Sequence, residues 1–271
     1  MVDEGQDLTP QVYEILSLAA QHITVFADPQ QKIFENGASE GFILEKLGLR
    51  KCNATLLGAY RNAPYVAELA SYFIDDDRKR EQYLAQISTE QKIREKPLCF
   101  VADDFQKEMD RLAEIISQRQ VMNERIGIIV STNKQLYGFS KGLDERGVSV
   151  EKAVPRSDNG GCDFGNTMPK IATYYSAKGL TFDSVLLPRL TESSFSWIDE
   201  ATRLRLFFVG IARATQWVYL STVKGKEFSE IKTVQDAEMN GHLILQHTYD
   251  FVQKNKSENQ DDSTEDDFSL L

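Results

Sequence analysis

Met1-Val2-Asp3-Glu4-Gly5-Gln6-Asp7 sets a run of carboxylates directly after two residues that read as the end of a buried strand. Leu8-Thr9-Pro10 follows at once as a helix start. A strand ending in Asp-Glu is where many nucleotide hydrolases hold magnesium and a water. The first carboxylate accepts a water of the metal shell, and the second can take a proton from the attacking water beside a γ-phosphate. Acidic residues near an N-terminus are also commonly solvated surface, so the reading depends on partners supplied by the rest of the chain.

Val12, Ile15, Leu16 and Ala19 have helical spacing behind the Thr9 cap, and Ile23-Thr24-Val25-Phe26-Ala27 reads as a buried strand. Strand, helix, strand is one parallel unit, so Asp28-Pro29-Gln30-Gln31 should emerge beside Asp3 and Glu4 at the carboxyl edge of a sheet, where ligands bind in α/β folds. A helix is expected through Ala63, Val66, Ala67, Ala70 and Phe73, and the charged run Asp75 to Arg80 reads as the solvated edge of a lobe. A second unit begins at Pro97. Strands are expected at Leu98–Val101, Ile126–Val130, Val148–Val150, Ile171–Tyr174, Val185–Leu187 and Trp217–Ser221, with helices through Met109–Ile116, Lys134–Arg146 and Glu200–Ala214. A last amphipathic segment with Leu243, Leu245, Tyr249 and Phe251 is expected to pack as a helix before an acidic tail.

The chain has 271 residues, enough for one large or two small domains. It has no apolar run long enough to span a bilayer and no signal-peptide pattern at its start, so no membrane association is expected and the expected setting is cytoplasmic. Cys52, Cys99 and Cys162 have no paired spacing and read as reduced core or loop residues. The net charge of −10 argues against a uniformly basic nucleic-acid coat while leaving room for a local groove. Part of that excess lies in the tail, which ends in Phe268-Ser269-Leu270-Leu271 and reads either as disordered or as a docking peptide for a protein partner.

Five segments now line up. Asp3-Glu4-Gly5-Gln6-Asp7, Asp28-Pro29-Gln30-Gln31-Lys32-Ile33-Phe34, Ala59-Tyr60-Arg61-Asn62, Thr173 to Phe182 and Phe208-Val209-Gly210-Ile211-Ala212-Arg213-Ala214 resemble, in order, the later motifs of UvrD/Rep-type superfamily 1 helicases. The resemblance implies P-loop NTPase (RecA-like) α/β lobes. Residues 1–75 would be the remainder of a first, incomplete lobe and 76–96 a linker. Residues 97–223 would be a complete second parallel-sheet lobe, followed by a helical segment at 224–253 and an acidic tail at 254–271. It implies ATP and Mg²⁺ as cofactors and single-stranded DNA, or RNA, as partner, with movement 3′ to 5′. Asp3 would hold Mg²⁺, Glu4 polarise the water and Gln31 sense the γ-phosphate. Tyr60 would stack on adenine, and Arg61 and Arg213 would clamp phosphate. Thr181 stands at the family's ribose contact, and Phe34, Thr173, Tyr175, Ser176 and Lys178 would meet nucleic acid.

Residue chemistry agrees with those roles. A forked arginine suits phosphate oxygens, an aromatic suits a base face, and the small-residue turn Ser176–Gly179 can offer backbone N–H groups to a strand. Plainer readings stand beside them. Phe34 could be core, Arg61 and Arg213 could pair with local carboxylates, and Tyr174 and Tyr175 could serve either strand packing or nucleic acid. The three histidines have no metal-ligand company.

The sequence also departs from the pattern. No Gly-x-x-x-x-Gly-Lys-Ser/Thr loop occurs; the nearest spacing, Gly142 to Gly147, continues as Val148-Ser149. Met1-Val2 reads as the last two strand residues of a longer protein. Thr181 replaces a usual glutamate, Tyr175 a histidine and Ala59 an asparagine, and Gly147 to Lys170 is too short for the family's large accessory insertion. A helicase-like module without catalysis, binding nucleic acid or protein, and one piece of a split helicase are therefore the rival expectations.

Overall fold

The computed structural model describes residues 1–52, 62–85, 87, 95–153, 162–163 and 165–248, with only the backbone of Gln30. The expectations placed on Ala59, Tyr60, Arg61, Tyr249, Phe251 and the acidic tail lie outside the described residues.

Thr9 stands at the N-cap position of α1 (Pro10–Ala19), with Pro10 in its first turn. Helices α2 (Glu40–Lys46), α3 (Pro64–Ser71) and α4 (Asp77–Leu84) follow. The Ser39 and Asp76 side chains cap α2 and α4 by accepting the Phe42 and Lys79 N–H groups. The charged run expected as a bare edge is thus largely the exposed helix α4. Its Tyr83 ring meets Phe208 edge-on at 5.5 Å.

Two expectations for the first segment need correction. The strand at Ile23–Ala27 is reduced to a single parallel bridge between Val2 and Val25, and Phe26 is 45% exposed. Helix α1 turns Tyr13 inward, whereas Ile15 is 65% exposed. The physical reason is a small cluster of Tyr13, Ala38 and Ile43 that needs one side chain of the helix, anchored where the Tyr13 hydroxyl donates to the Gly5 carbonyl at 2.8 Å. A Cβ on Gly5 would lie 2.6 Å from that hydroxyl oxygen, so only glycine permits the approach.

The rest of the chain builds one sheet. Its strands are β1 (Leu98–Ala102), β2 (Ile126–Val130), β3 (Glu151–Lys152), β4 (Lys170–Thr173), β5 (Phe182–Leu187), β6 (Ala214–Val223) and β7 (Ile244–His247). Between them run α5 (Phe105–Val121), α6 (Asn133–Asp144), α7 (Glu192–Phe195), α8 (Glu200–Ile211) and α9 (Ile231–Met239). The order is β3-β4-β2-β5-β6-β1-β7 and every strand pair is parallel.

Period-two alternation explains why both faces are covered. Ile126, Ile128, Val130, Leu186 and Tyr219 enter one core with residues of α5 and α6. Ile129, Val185, Leu187, Val218 and Leu220 enter the other, with residues of α3, α8 and α9. Ile33 joins this second core, so the first segment is packed onto the sheet through apolar contact. Asn62 fastens the same junction by donating to the Ala212 carbonyl at 3.0 Å and to the Ala214 carbonyl.

Three boundaries differ from expectation in this half. The strand expected at Val148–Val150 forms at Glu151–Lys152, because Gly147 closes α6 at φ 75° and Val148 is drawn into the core beneath it. Helix α8 stops at Ile211, leaving Arg213 in the turn before β6. The terminal segment is not all helix: Leu243 leads into, and Leu245 lies on, β7, which pairs with β1. Their two-residue spacing is the strand period. Among the described residues no helix is long and apolar enough to cross a membrane.

Candidate functional site

Lys178 sits at the centre of a polar cluster where the first segment meets the carboxyl end of β4. Its side chain is only 7% exposed, and its Nζ lies 2.5 Å from Asp7 Oδ2, 3.5 Å from Glu4 Oε2 and 2.8 Å from the Gln31 carbonyl oxygen. Lys178, read from the sequence as a nucleic-acid contact, thus points its ammonium at the carboxylates in this structure. Glu4 reaches it from a left-handed backbone at φ 51°, which costs a non-glycine residue about 1 kcal/mol.

Gln31 bridges the cluster to α8. Its amide donates to Asp28 Oδ2 at 2.8 Å, and its Oε1 accepts from Arg213 Nη2 at 2.7 Å. Arg213 is 3% exposed and also donates through Nε to the Val209 carbonyl at 3.1 Å. Glu4, Gln31 and Arg213 therefore converge, and Asp3 adjoins them where its Oδ1 accepts the Glu4 N–H at 2.9 Å. Asp3 is itself exposed.

Two residues of this cluster, Gln6 and Asp7, have no role assigned from the sequence. Gln6, 2% exposed, donates to Glu4 Oε2 at 2.5 Å and accepts the Asp28 N–H at 2.9 Å, fixing the two acidic loops against each other. Asp7 binds Lys178, yet burial outweighs that attraction and holds its carboxyl above the ordinary range. Its Oδ1 is buried without a hydrogen-bond partner among the described residues. The acidic run itself was the signal for Asp7; nothing in sequence spacing marks Gln6 as buried.

The aromatic residues separate. Tyr174 is 1% exposed and packs edge-on against Phe195 and Phe207, which places it in the core. Tyr175 turns outward against Phe34, with centroids 5.4 Å apart and planes at 48°, and Phe34 remains 41% exposed. Desolvation, then the nearby Glu35 and Asp199 charges, push the Tyr175 hydroxyl pKa up. Thr173 and Ser176 hold the turn beneath this pair, the Ser176 N–H donating to Thr173 Oγ1 at 3.2 Å. Thr181 is half-buried just before β5.

Does this constellation fit magnesium and a nucleotide? Among the described residues no group of three or more His, Cys, Asp or Glu side chains could hold a metal alone. Mg²⁺ commonly needs only one or two carboxylates beside phosphate oxygens and waters. Exposed Asp3 and the unpartnered Asp7 Oδ1 fit such a part-protein, part-phosphate shell.

No protein-family model matches the sequence and no curated protein matches it. Among solved structures, the chain is similar to the C-terminal domain of a possible DNA helicase from Lactobacillus plantarum WCFS1. The two share 17% identity over 69% of this chain and 98% of that one, with a TM-score of 0.52. The C-terminal domain of the DEAD-box protein Dbp5 matches more loosely, at 18% identity over 61% of this chain and 97% of that one, with a TM-score of 0.43. The first likeness establishes the fold, a parallel α/β sheet of the kind found in helicase C-terminal domains.

Proposed function

We propose that this chain is the nucleic-acid-tracking, ATP-coupled portion of a UvrD/Rep-type superfamily 1 motor that moves 3′ to 5′ on single-stranded DNA. The observation that carries the reading is the 2.7 Å bond from Arg213 to Gln31, which joins two motif segments 182 residues apart and sets them beside Glu4. In this reading residues 1–75 belong to a first lobe and 97–223 to the second. Arg213 and Gln31 face transferring phosphate, Glu4 accepts the proton of the attacking water, and Asp3 holds Mg²⁺. The bound metal would neutralise phosphate charge. Phe34 and Tyr175 stack on bases. Tyr60 and Arg61 keep the adenine and phosphate roles, and Thr181 the ribose contact, that the resemblance implies. The acidic tail is proposed to dock a protein partner.

A second reading has its own support. Lys178 already neutralises Asp7 and approaches Glu4, as would suit a module that binds nucleic acid without hydrolysis, or a split enzyme awaiting a partner's phosphate loop. ATPase assays separate the two. The chain alone, which has no Gly-x-x-x-x-Gly-Lys-Ser/Thr sequence, is expected to show no turnover stimulated by single-stranded DNA. Supplied with such a loop, it is expected to turn over, and Glu4→Gln and Arg213→Ala are each expected to abolish turnover while DNA binding persists. Near-normal turnover in either variant would remove the role assigned to that residue.

A further inference from the structure

A second polar centre lies at the carboxyl edge of the sheet, two strands along from β4 in the order β4-β2-β5. Arg189 follows β5 with φ at 60°, a left-handed conformation that side chains other than glycine adopt at a cost. Glu108, in the first turn of α5, has a side chain with no exposed surface, and burial pushes its carboxyl pKa up. Its Oε1 accepts the Arg189 N–H at 2.7 Å and the Ser221 hydroxyl at 2.8 Å, and its Oε2 lies 3.2 Å from Arg189 Nη1. The guanidinium rests 4.9 Å from the centroid of Phe105, a ring 38% exposed.

Two unfavourable features, a strained backbone and a fully buried carboxylate, converge on the orientation of one arginine. A core stabilised by packing alone needs neither. The loop beyond is locked as well. Leu190 N–H donates to the Ser221 carbonyl at 2.8 Å, Thr222 Oγ1 to the Leu190 carbonyl at 2.5 Å, and Thr191 bridges to Glu227. The Arg189 side chain keeps 22% of its surface open at this edge, close to the turn that carries exposed Lys224 and Lys226. Neighbouring acids are engaged locally: Asp104 Oδ1 caps α5 through the Lys107 N–H, and Glu192 Oε2 accepts from Ser229. Exposed Asp103, at the end of β1, opposes an anion and keeps the expected contribution modest.

We infer that Arg189, oriented by Glu108 and braced on Phe105, is a phosphate-binding residue that extends the single-stranded nucleic-acid path from the Phe34–Tyr175 pair across the ends of β2 and β5. The inference rests on the proposed tracking of single-stranded nucleic acid. A planar, forked cation held at fixed angle suits phosphate oxygens, and one contact of this kind adds about 0.7 to the salt slope of single-strand binding.

The test is fluorescence anisotropy of a labelled dT oligonucleotide with the whole chain, from about 50 to 200 mM salt. Arg189→Ala strands the buried Glu108 charge and could unfold the protein. Glu108→Gln/Arg189→Gln is therefore measured beside it, since it removes both charges while leaving an acceptor for the backbone N–H. Folding is checked by circular dichroism, and Arg189→Lys keeps the charge. The double variant is expected to be folded, to bind a few-fold more weakly and to lose about 0.7 from the slope, whereas Arg189→Lys keeps the slope. Binding that weakens on Phe34→Ala but has unchanged affinity and slope in the folded double variant would overturn this inference alone. No binding by the unaltered chain would overturn it together with the function on which it rests.

Discussion

Lys178 holds together two segments that the sequence keeps far apart, and the consequence is measurable as stability. Its ammonium meets Asp7 Oδ2 and the Gln31 carbonyl, both within hydrogen-bond distance. Lys178→Met should lower unfolding stability by about 1–3 kcal/mol, the usual penalty for leaving buried polar partners unmatched, and urea denaturation reads it directly. Titration should reveal two acids of opposite sign. Asp7 has its folded pKa raised above the ordinary 3.8, so its stability contribution is greatest below 3.8 and is lost as pH rises through the folded value. Glu151 is held at about 2, chiefly by its hydrogen bond from Lys170 and then by the Asp163 N–H. Its contribution is full above 4.5 and is lost as pH falls toward 2. Between pH 5 and 2.5 the unaltered protein should therefore lose stability relative to Glu151→Gln and gain it relative to Asp7→Asn. The same slope in both comparisons would contradict these assignments.

At the scale of elements, α8 is the part whose packing sets the site. Gly210 lies against Tyr174, and a Cβ there would approach the ring to 2.7 Å. Gly210→Ala should cost about 1–3 kcal/mol through overpacking and should disturb the Arg213–Gln31 contact three residues on. Gly147→Ala is the control: its φ of 75° is unfavourable for alanine, but the added Cβ meets nothing within 4 Å. It should cost about 1 kcal/mol and leave the site unaltered. Thermal unfolding and the ATPase of a loop-supplied protein distinguish the two.

The strands β1, β2, β4, β5 and β6 were legible because strands buried on both faces read as continuous apolar runs. Strand β7 was not, because residues of an edge strand such as Ile244 remain exposed and the apolar pattern extended beyond it. The helix α1 was legible but its buried face was not. Its inward residue is set by the Tyr13 bond to Gly5, a contact that no periodicity encodes.

For the molecule as a whole, the convergence of Glu4, Gln31 and Arg213 was legible through the motif resemblance and not through strand order, since Arg213 precedes β6 at its amino end and the segments before Glu4 and Gln31 are joined by the single Val2–Val25 bridge. The position of Lys178 was not legible, because whether a lysine in a turn faces solvent or a carboxylate depends on how the first segment docks through Ile33 and Asn62. Glu108 and Arg189 left no trace in spacing at all, being joined only by the order of strands.

We propose that the carboxyl edge, despite a net charge of −10, binds single-stranded nucleic acid through Phe34 and Tyr175. The most direct test is competition between a dT oligonucleotide and a duplex of equal length for the whole chain, read by anisotropy at about 50 mM salt. The single strand should be preferred, and Phe34→Ala or Tyr175→Ala should lose roughly five- to hundredfold in affinity, the range of one lost base stack. Equal affinity for the duplex, or unchanged binding in both variants, would contradict the proposal.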